Sequence, residues 1–331
     1  MSTLAAVILF TGVVLYAIFA GADFGAGFWD LTAGGAERGR RPRELIDHSV
    51  GPVWEANHVW LIFCLVVMWT AFPPAFAAIM TTLYVPLGLA ALGIVLRGSG
   101  FAFRKVLVRT AEQRVTGAAF AISSVLTPFF FGTVAGGIAS GRVPDGGNGE
   151  AVGSWVNPTS LLGGVLAVVV CAYVAAVLLT ADARARRLQD LEAYFRHRAL
   201  VMAGVAGVVS IAGIFILHAD ARHLFDQLLG PGLPFVVLSA AAGLTALALL
   251  RSAVPRVPRG FAVVAAGGVV IGWGVAQYPY LLGTHLRIAD AAAPRPTLVS
   301  VAVIFVAAAL LCVPSLILLY VLQQRGRLEE A

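Results

Sequence analysis

Side chains able to carry protons sit where the chain is otherwise most apolar. In G-P-V-W-E-A-N-H-V-W-L (51–61), Glu55, Asn57 and His58 lie between Trp54 and Trp60 at the head of a strongly apolar segment. Glu55 and His58 are three residues apart, a helical spacing that permits contact directly or through water. The preceding apolar segment carries Asp23 in G-A-D-F-G-A-G (21–27), and the following one carries Arg97 in L-R-G-S-G-F (96–101). Ionisable groups are costly inside a bilayer, where they mark proton or ion paths and face partners of opposite charge. Arg97 needs a carboxylate, and Asp23 and Glu55 are the ones at its depth. The expectation is a polar cluster in which Glu55 and His58 form the entrance of a proton path and Asp23 a deeper relay. Arg97, Trp54 and Asn57 support it, and no residue is assigned a catalytic role.

Each member also has a plainer reading. Glu55 in the first turn of a helix would satisfy orphan amides and the dipole. Arg97 could snorkel to the interface. Gly21 and Gly25, four residues apart, allow a neighbouring backbone to approach closely. Asp23, well inside its segment, has no such excuse.

The remaining chemistry-bearing residues suggest no further site. Cys64, Cys171 and Cys312 fall in separate apolar segments without metal-ligand spacing and read as packing residues. His218, His223 and His285 fall in or beside one set of loops, and His48 and His197 in the other. None has metal-type spacing. There is no phosphate-cradling loop, no nucleophile elbow and no paired histidines to hold a haem. The basic residues form no contiguous face with aromatics, so nucleic acid is not expected as a partner.

The elements that must position these groups are membrane helices. Of 331 residues, 59% are hydrophobic and 12% charged, against about 25% charged in soluble proteins. At roughly 20 apolar residues per crossing, the sequence predicts nine spans, at about 4–33, 52–73, 77–107, 115–139, 158–181, 199–218, 233–251, 259–282 and 298–322. The N-terminus reads as an uncleaved first span, since no basic region precedes it. The expected fold is all-α, a single integral-membrane domain over 1–331, with bundles over 1–140 and 158–282 and a terminal helix over 298–322. All but four of the 23 Lys and Arg fall in alternate connections; the four are Arg142, Arg222, Arg287 and Arg295. The positive-inside rule then sets the N-terminus outside and the C-terminus in the cytoplasm. Asp23 would lie about 15 Å from the cytoplasmic end of its helix, near mid-membrane.

Five motifs in order carry a family resemblance: G-A-D-F-G-A-G (21–27), G-P-V-W-E-A-N-H-V-W-L (51–61), A-F-P-P-A-F (71–76), L-R-G-S-G-F-A-F-R (96–104) and Y-P-Y-L-L (278–282). Together they resemble subunit II of the bacterial cytochrome bd-type quinol oxidases, most densely in the first 105 residues. The resemblance implies a nine-helix subunit of the plasma membrane that forms a heterodimer with subunit I, with a small accessory subunit as a further partner. Haem b, haem d and the quinol site would lie in subunit I, and none would be bound directly here. It also places Asp23, Trp54, Glu55 and Arg97 in the family's polar set, which is implicated in carrying cytoplasmic protons toward the oxygen-reducing haem. The best-known branch has Asp at the position of Glu55 and Gln at that of His58. A competing class is a proton-coupled secondary transporter using Asp23 and Glu55. Its broken half-helices should lie at matching points of two repeats, whereas Pro73-Pro74 and Pro279 fall at expected membrane boundaries. A third reading, a scaffold of the oxidase, differs only in whether the acids conduct.

Overall fold

In the computed structural model the backbone is described for residues 1–50, 54–106, 110–250 and 256–324; the side chains of 36, 50, 54–57, 101–106, 110–115, 256, 313, 316, 317 and 319–324 lie outside the description. The described chain is built from helices and one small hairpin. The first helix, α1 (Ser2–Leu31), is apolar throughout and free of proline. It ends where Gly34 takes a φ of +99°, a left-handed turn that glycine adopts without a Cβ clash. It is also the hub, packing against α3 (Trp54–Ala71), α6 (Thr110–Ala139), α7 (Pro158–Ala185) and α11 (Arg256–Gln277).

Arg-rich residues that read as a loop after the first span instead form a helix, α2 (Ala36–Val50). Its pattern explains why. Leu45 and Ile46 are buried against α7 and its neighbours, while Arg38, Arg40, Arg41 and Glu44 remain exposed. An amphipathic helix of this kind lies along an interface rather than across it.

The expected boundary between the second and third spans also moves. The chain turns through 119° between α3 and α4 (Pro73–Thr82), and α5 (Tyr84–Val106) starts only after a second break. Proline is suited to the first turn of a helix, where its missing N–H is no loss. Pro73 and Pro74 therefore begin α4 rather than interrupt α3. The corner is sealed by fully buried Phe72, and the freed Ala71 carbonyl accepts a hydrogen bond from Ala293 N at 2.8 Å.

On the far side, α7 opens with Asn157 as N-cap, accepting from Ser160 N at 2.9 Å, and Pro158 in the first turn. It packs along α8 (Gln189–Asp220). The short α9 (Arg222–Leu229) and α10 (Leu233–Leu249) form another bent pair, at 73°. After α11, β1 (Tyr280–Leu282) and β2 (Leu286–Arg287) pair antiparallel where the eighth span was expected to end. The last element is α12 (Arg295–Gln324).

Among the described residues, six helices are long and apolar enough to cross a membrane, or up to eight if each bent pair is one span. The apolar part of α5, Tyr84–Gly100, is shorter. Many large apolar side chains remain exposed, including Val59, Ile62, Val95, Phe215, Leu310 and Leu311. A soluble chain would not leave so much apolar surface in water; this is a polytopic membrane protein.

Candidate functional site

Asp23 and Arg97 meet in the interior. Arg97 Nη2 donates to Asp23 Oδ1 at 2.5 Å and to the Asp23 carbonyl at 3.0 Å, and the two side chains are 3% and 1% exposed. Of the two acids at its depth, Asp23 is therefore a partner of Arg97, and the snorkelling alternative does not hold. The other Arg97 nitrogen, Nη1, donates to Ser124 Oγ on α6. Ser124 in turn donates to the Phe120 carbonyl at 2.5 Å. The guanidinium also lies over the Phe120 and Phe24 rings, 4.3 and 5.1 Å from their centroids. These contacts offset part of the desolvation cost of a buried cation. Among the described residues Arg97 Nε has no hydrogen-bond partner.

The glycines beside Asp23 explain how four helices, α1, α5, α6 and α7, come this close. A Cβ on Gly25 would collide with the Cys171 carbonyl of α7, and one on Gly27 with Ser124 and the Arg97 guanidinium. So Gly25 admits the α7 backbone, and Gly27 admits the arginine. Trp29 Nε1 then fixes the α1–α7 contact by donating to the Ala172 carbonyl at 2.8 Å.

Beside the ion pair is a small cavity of about 10 Å³, lined by Tyr16, Ala20, Asp23, Phe24, His58, Ile94 and Arg97. His58 thus shares a space with the pair. The side chains of Trp54, Glu55 and Asn57 lie outside the described residues; the α3 backbone begins at Trp54, which puts Glu55 in its first turn. Sequence reasoning passed over Tyr16 and Ser124. Tyr16, Ala20 and Asp23 recur at helical spacing and so share a face of α1, a signal that was available. Ser124 carried only the hint of consecutive serines in an apolar run.

Other acids have plainer partners. Asp30, two turns further along α1, receives Arg43 Nε at 2.6 Å, while Arg43 Nη2 donates to the Gly34 carbonyl at 2.6 Å. That pairing docks α2 under the end of α1. Arg184 bridges Glu192 and the Leu250 carbonyl, each at 2.7 Å, and Arg259 pairs with Asp182. At the opposite end, Asp220 is held by Arg142 and Thr159. Among the described residues no three His, Cys, Asp or Glu side chains converge as a metal site would require.

The site defines a class, a polytopic α-helical membrane protein with a buried Asp–Arg pair and a histidine beside a small cavity. The chain belongs to the cytochrome bd terminal oxidase subunit II family, which it matches over residues 1–323. It is 27% identical over 246 residues to cytochrome bd ubiquinol oxidase subunit 2 of Bacillus subtilis, covering 74% of this chain and 70% of the relative. It is 26% identical over 227 residues to cytochrome bd-I ubiquinol oxidase subunit 2 of Escherichia coli, covering 63% of this chain but only 56% of the relative. Its fold is similar to a chain in the structure of bd oxidase from Geobacillus thermodenitrificans, with a TM-score of 0.80, 25% identity and coverage of 96% and 97% of the two chains.

Proposed function

We propose that the protein works as subunit II of a quinol-oxidising, oxygen-reducing complex in the bacterial plasma membrane, as a single integral-membrane domain. Haem b, haem d and the quinol site belong to a partner subunit I in this reading. The present chain supports that partner and supplies part of a proton path from the cytoplasm. The observation that carries the path is the Asp23–Arg97 pair, buried in the helix bundle beside a cavity that His58 also lines. A buried ion pair is weak evidence for stability, because an apolar replacement often serves as well. Its position beside the His58 imidazole favours a functional role. Reduction of oxygen consumes protons, and a haem inside hydrocarbon needs a chain of polar groups to deliver them. Glu55 and His58 serve as the entrance, Asp23 as the relay, and Arg97, Trp54 and Asn57 as supports.

The proposed topology has nine crossings: each bent pair counts once, and α5 is included. The N-terminus is then outside and the C-terminus cytoplasmic. The concentration of Arg38, Arg40, Arg41, Arg43, Arg184, Arg186, Arg187 and Arg259 at one end supports this orientation. A cytoplasm-dependent reporter fused after Ala331 should be active and a periplasm-dependent one silent; the reverse pattern rejects the orientation and the cytoplasmic entrance with it. Co-expression with a haem-ligating subunit I should yield a stoichiometric Soret band that this chain, expressed alone, lacks. A one-to-one haem signal from this chain alone would overturn the division of labour. The transporter alternative gains no support from the bent pairs: α3–α4 and α9–α10 open their second helices at Pro73 and Leu233, away from the buried acid.

A further inference from the structure

A second cavity lies apart from the Asp23–Arg97 pair, between α2 and the turn that joins α7 to α8. Its volume is about 200 Å³, below the roughly 300–1,000 Å³ of a pocket for a drug-sized ligand. One wall is α2, through Arg41, Glu44, Leu45 and His48; the other is the turn and the start of α8, through Arg186, Leu188 and Leu191. The charges pair off unevenly. Arg41 binds Asp190, and Glu44 is 3.8 Å from Arg40. Beyond the cavity, Arg184 holds Glu192 and Arg259 holds Asp182. Among the described residues the exposed Arg186 side chain has no ion pair or hydrogen bond. Of the lining charges and their partners, Arg186 is therefore the cation left over. Arg41 can join it at little cost. Both side chains of its pair with Asp190 are more than half exposed, and such pairs contribute about 0–1 kcal/mol.

We propose that this cavity binds the headgroup of an anionic phospholipid, with the phosphodiester held between Arg186 and Arg41. Guanidinium groups suit that ligand, because their parallel N–H donors match two phosphate oxygens at once. The apolar side of the cavity favours a lipid over a small anion: Leu45, Leu188 and Leu191 offer a surface for the glycerol and the first acyl carbons. Depth agrees with this. The apolar run of α7 ends at Ala181, before Asp182, and Arg186 is five residues further on. At 1.5 Å per residue that is about 7.5 Å beyond the hydrocarbon, within the headgroup layer of a bilayer about 40–45 Å thick around a 30 Å core. The opposite wall, α2, is the amphipathic helix that lies along this boundary. Basic pockets between membrane helices are known to take acidic headgroups. A lipid bound here adds a bridge between α2 and the α7–α8 turn beside the exposed Arg41–Asp190 pair. The site is independent of the proton path.

The test is local protection from amide hydrogen exchange in the complex with subunit I, stripped of lipid in neutral detergent and judged intact by its haem spectrum. Peptides covering 36–50 and 186–192 are followed as phosphatidylglycerol is added. This lipid should slow exchange in both peptides. Phosphatidylcholine, whose headgroup has no net charge, and inorganic phosphate at the same concentration should not. Arg186→Gln should raise the phosphatidylglycerol concentration for half-protection about fivefold or more, the contribution of one cation at a membrane surface. Arg186→Lys should recover most of that loss. Arg187→Gln, at an exposed neighbour outside the cavity, should keep the wild-type value. Arg186 is exposed and pairs with no described residue, so its variants should assemble normally. Equal protection by inorganic phosphate would make this a small-anion site, and equal protection by phosphatidylcholine a merely apolar one. Either result overturns the proposal, as does absent protection by phosphatidylglycerol or an unchanged response in Arg186→Gln.

Discussion

Two aspartate–arginine pairs at different places in the molecule use the same chemistry for different ends. Asp220, at the end of α8, accepts from Arg142 Nη2 at 2.6 Å, Arg142 Nη1 at 3.2 Å, Thr159 Oγ1 at 2.6 Å and Thr159 N at 3.1 Å. Those donors come from the 140–157 connection and the first turn of α7, so the carboxylate clasps three segments and caps a helix. Its side chain is 16% exposed and that of Arg142 34%. Among the described residues Asp23 has a single side-chain partner, Arg97, and it lines a small cavity with Tyr16 and His58. The first carboxylate is saturated by structure. The second shares its cavity with the His58 imidazole. Burial of the pair raises the cost of disturbing it, and what it leaves unsatisfied marks where function can reside.

Removing the cation at each place should rank the pairs by burial. Arg97→Ala leaves Asp23 buried without a counter-charge, which costs about 3–5 kcal/mol when one partner of a buried pair is lost. The expected outcome is little or no assembled haem complex, measured by Soret absorption per protein. Near-normal assembly would mean that Asp23 is not ionised in the bundle. Asp220→Ala should cost about 1–3 kcal/mol, the scale of charge-assisted hydrogen bonds. It should lower the melting temperature of the complex while turnover per haem stays at the wild-type value. A loss of turnover without loss of stability would make the outer clasp functional and erase the contrast. The Arg41–Asp190 pair, with both side chains more than half exposed, gives the smallest effect. Arg41→Ala should change stability by no more than about 1 kcal/mol, read from the same melting curves.

The same contrast shows what could be read from residues alone. Asp23 and Arg97 stood out because charge inside an apolar run is conspicuous, and complementary charges at one depth have few choices of partner. The all-helical, membrane-spanning class was legible for the same reason, from long apolar runs. The Asp220 clasp was not legible: Arg142, Thr159 and Asp220 are distant in the chain and individually ordinary. Nor was the helical state of 36–50, because two adjacent apolar residues, Leu45 and Ile46, make a weak pattern in so short a stretch and contact with α7 completes it. The corner at Phe72 was misplaced since Pro73-Pro74 signals a break without saying which helix owns the prolines. Tyr16 was overlooked because an aromatic in an apolar helix usually packs or anchors; its neighbourhood, not its type, sets it apart.

The central claim is that the interior carboxylates conduct protons rather than merely pack. The most direct measurement is quinol-driven oxygen consumption per haem in purified, fully assembled Asp23→Asn, Glu55→Gln complex. Both replacements keep the side-chain shape and remove the exchangeable acid. Turnover should fall by about tenfold or more, and Glu55→Asp alone should retain most of it. Full turnover in the assembled double variant would contradict the account and leave the Asp23–Arg97 pair as a packing feature of a scaffold subunit.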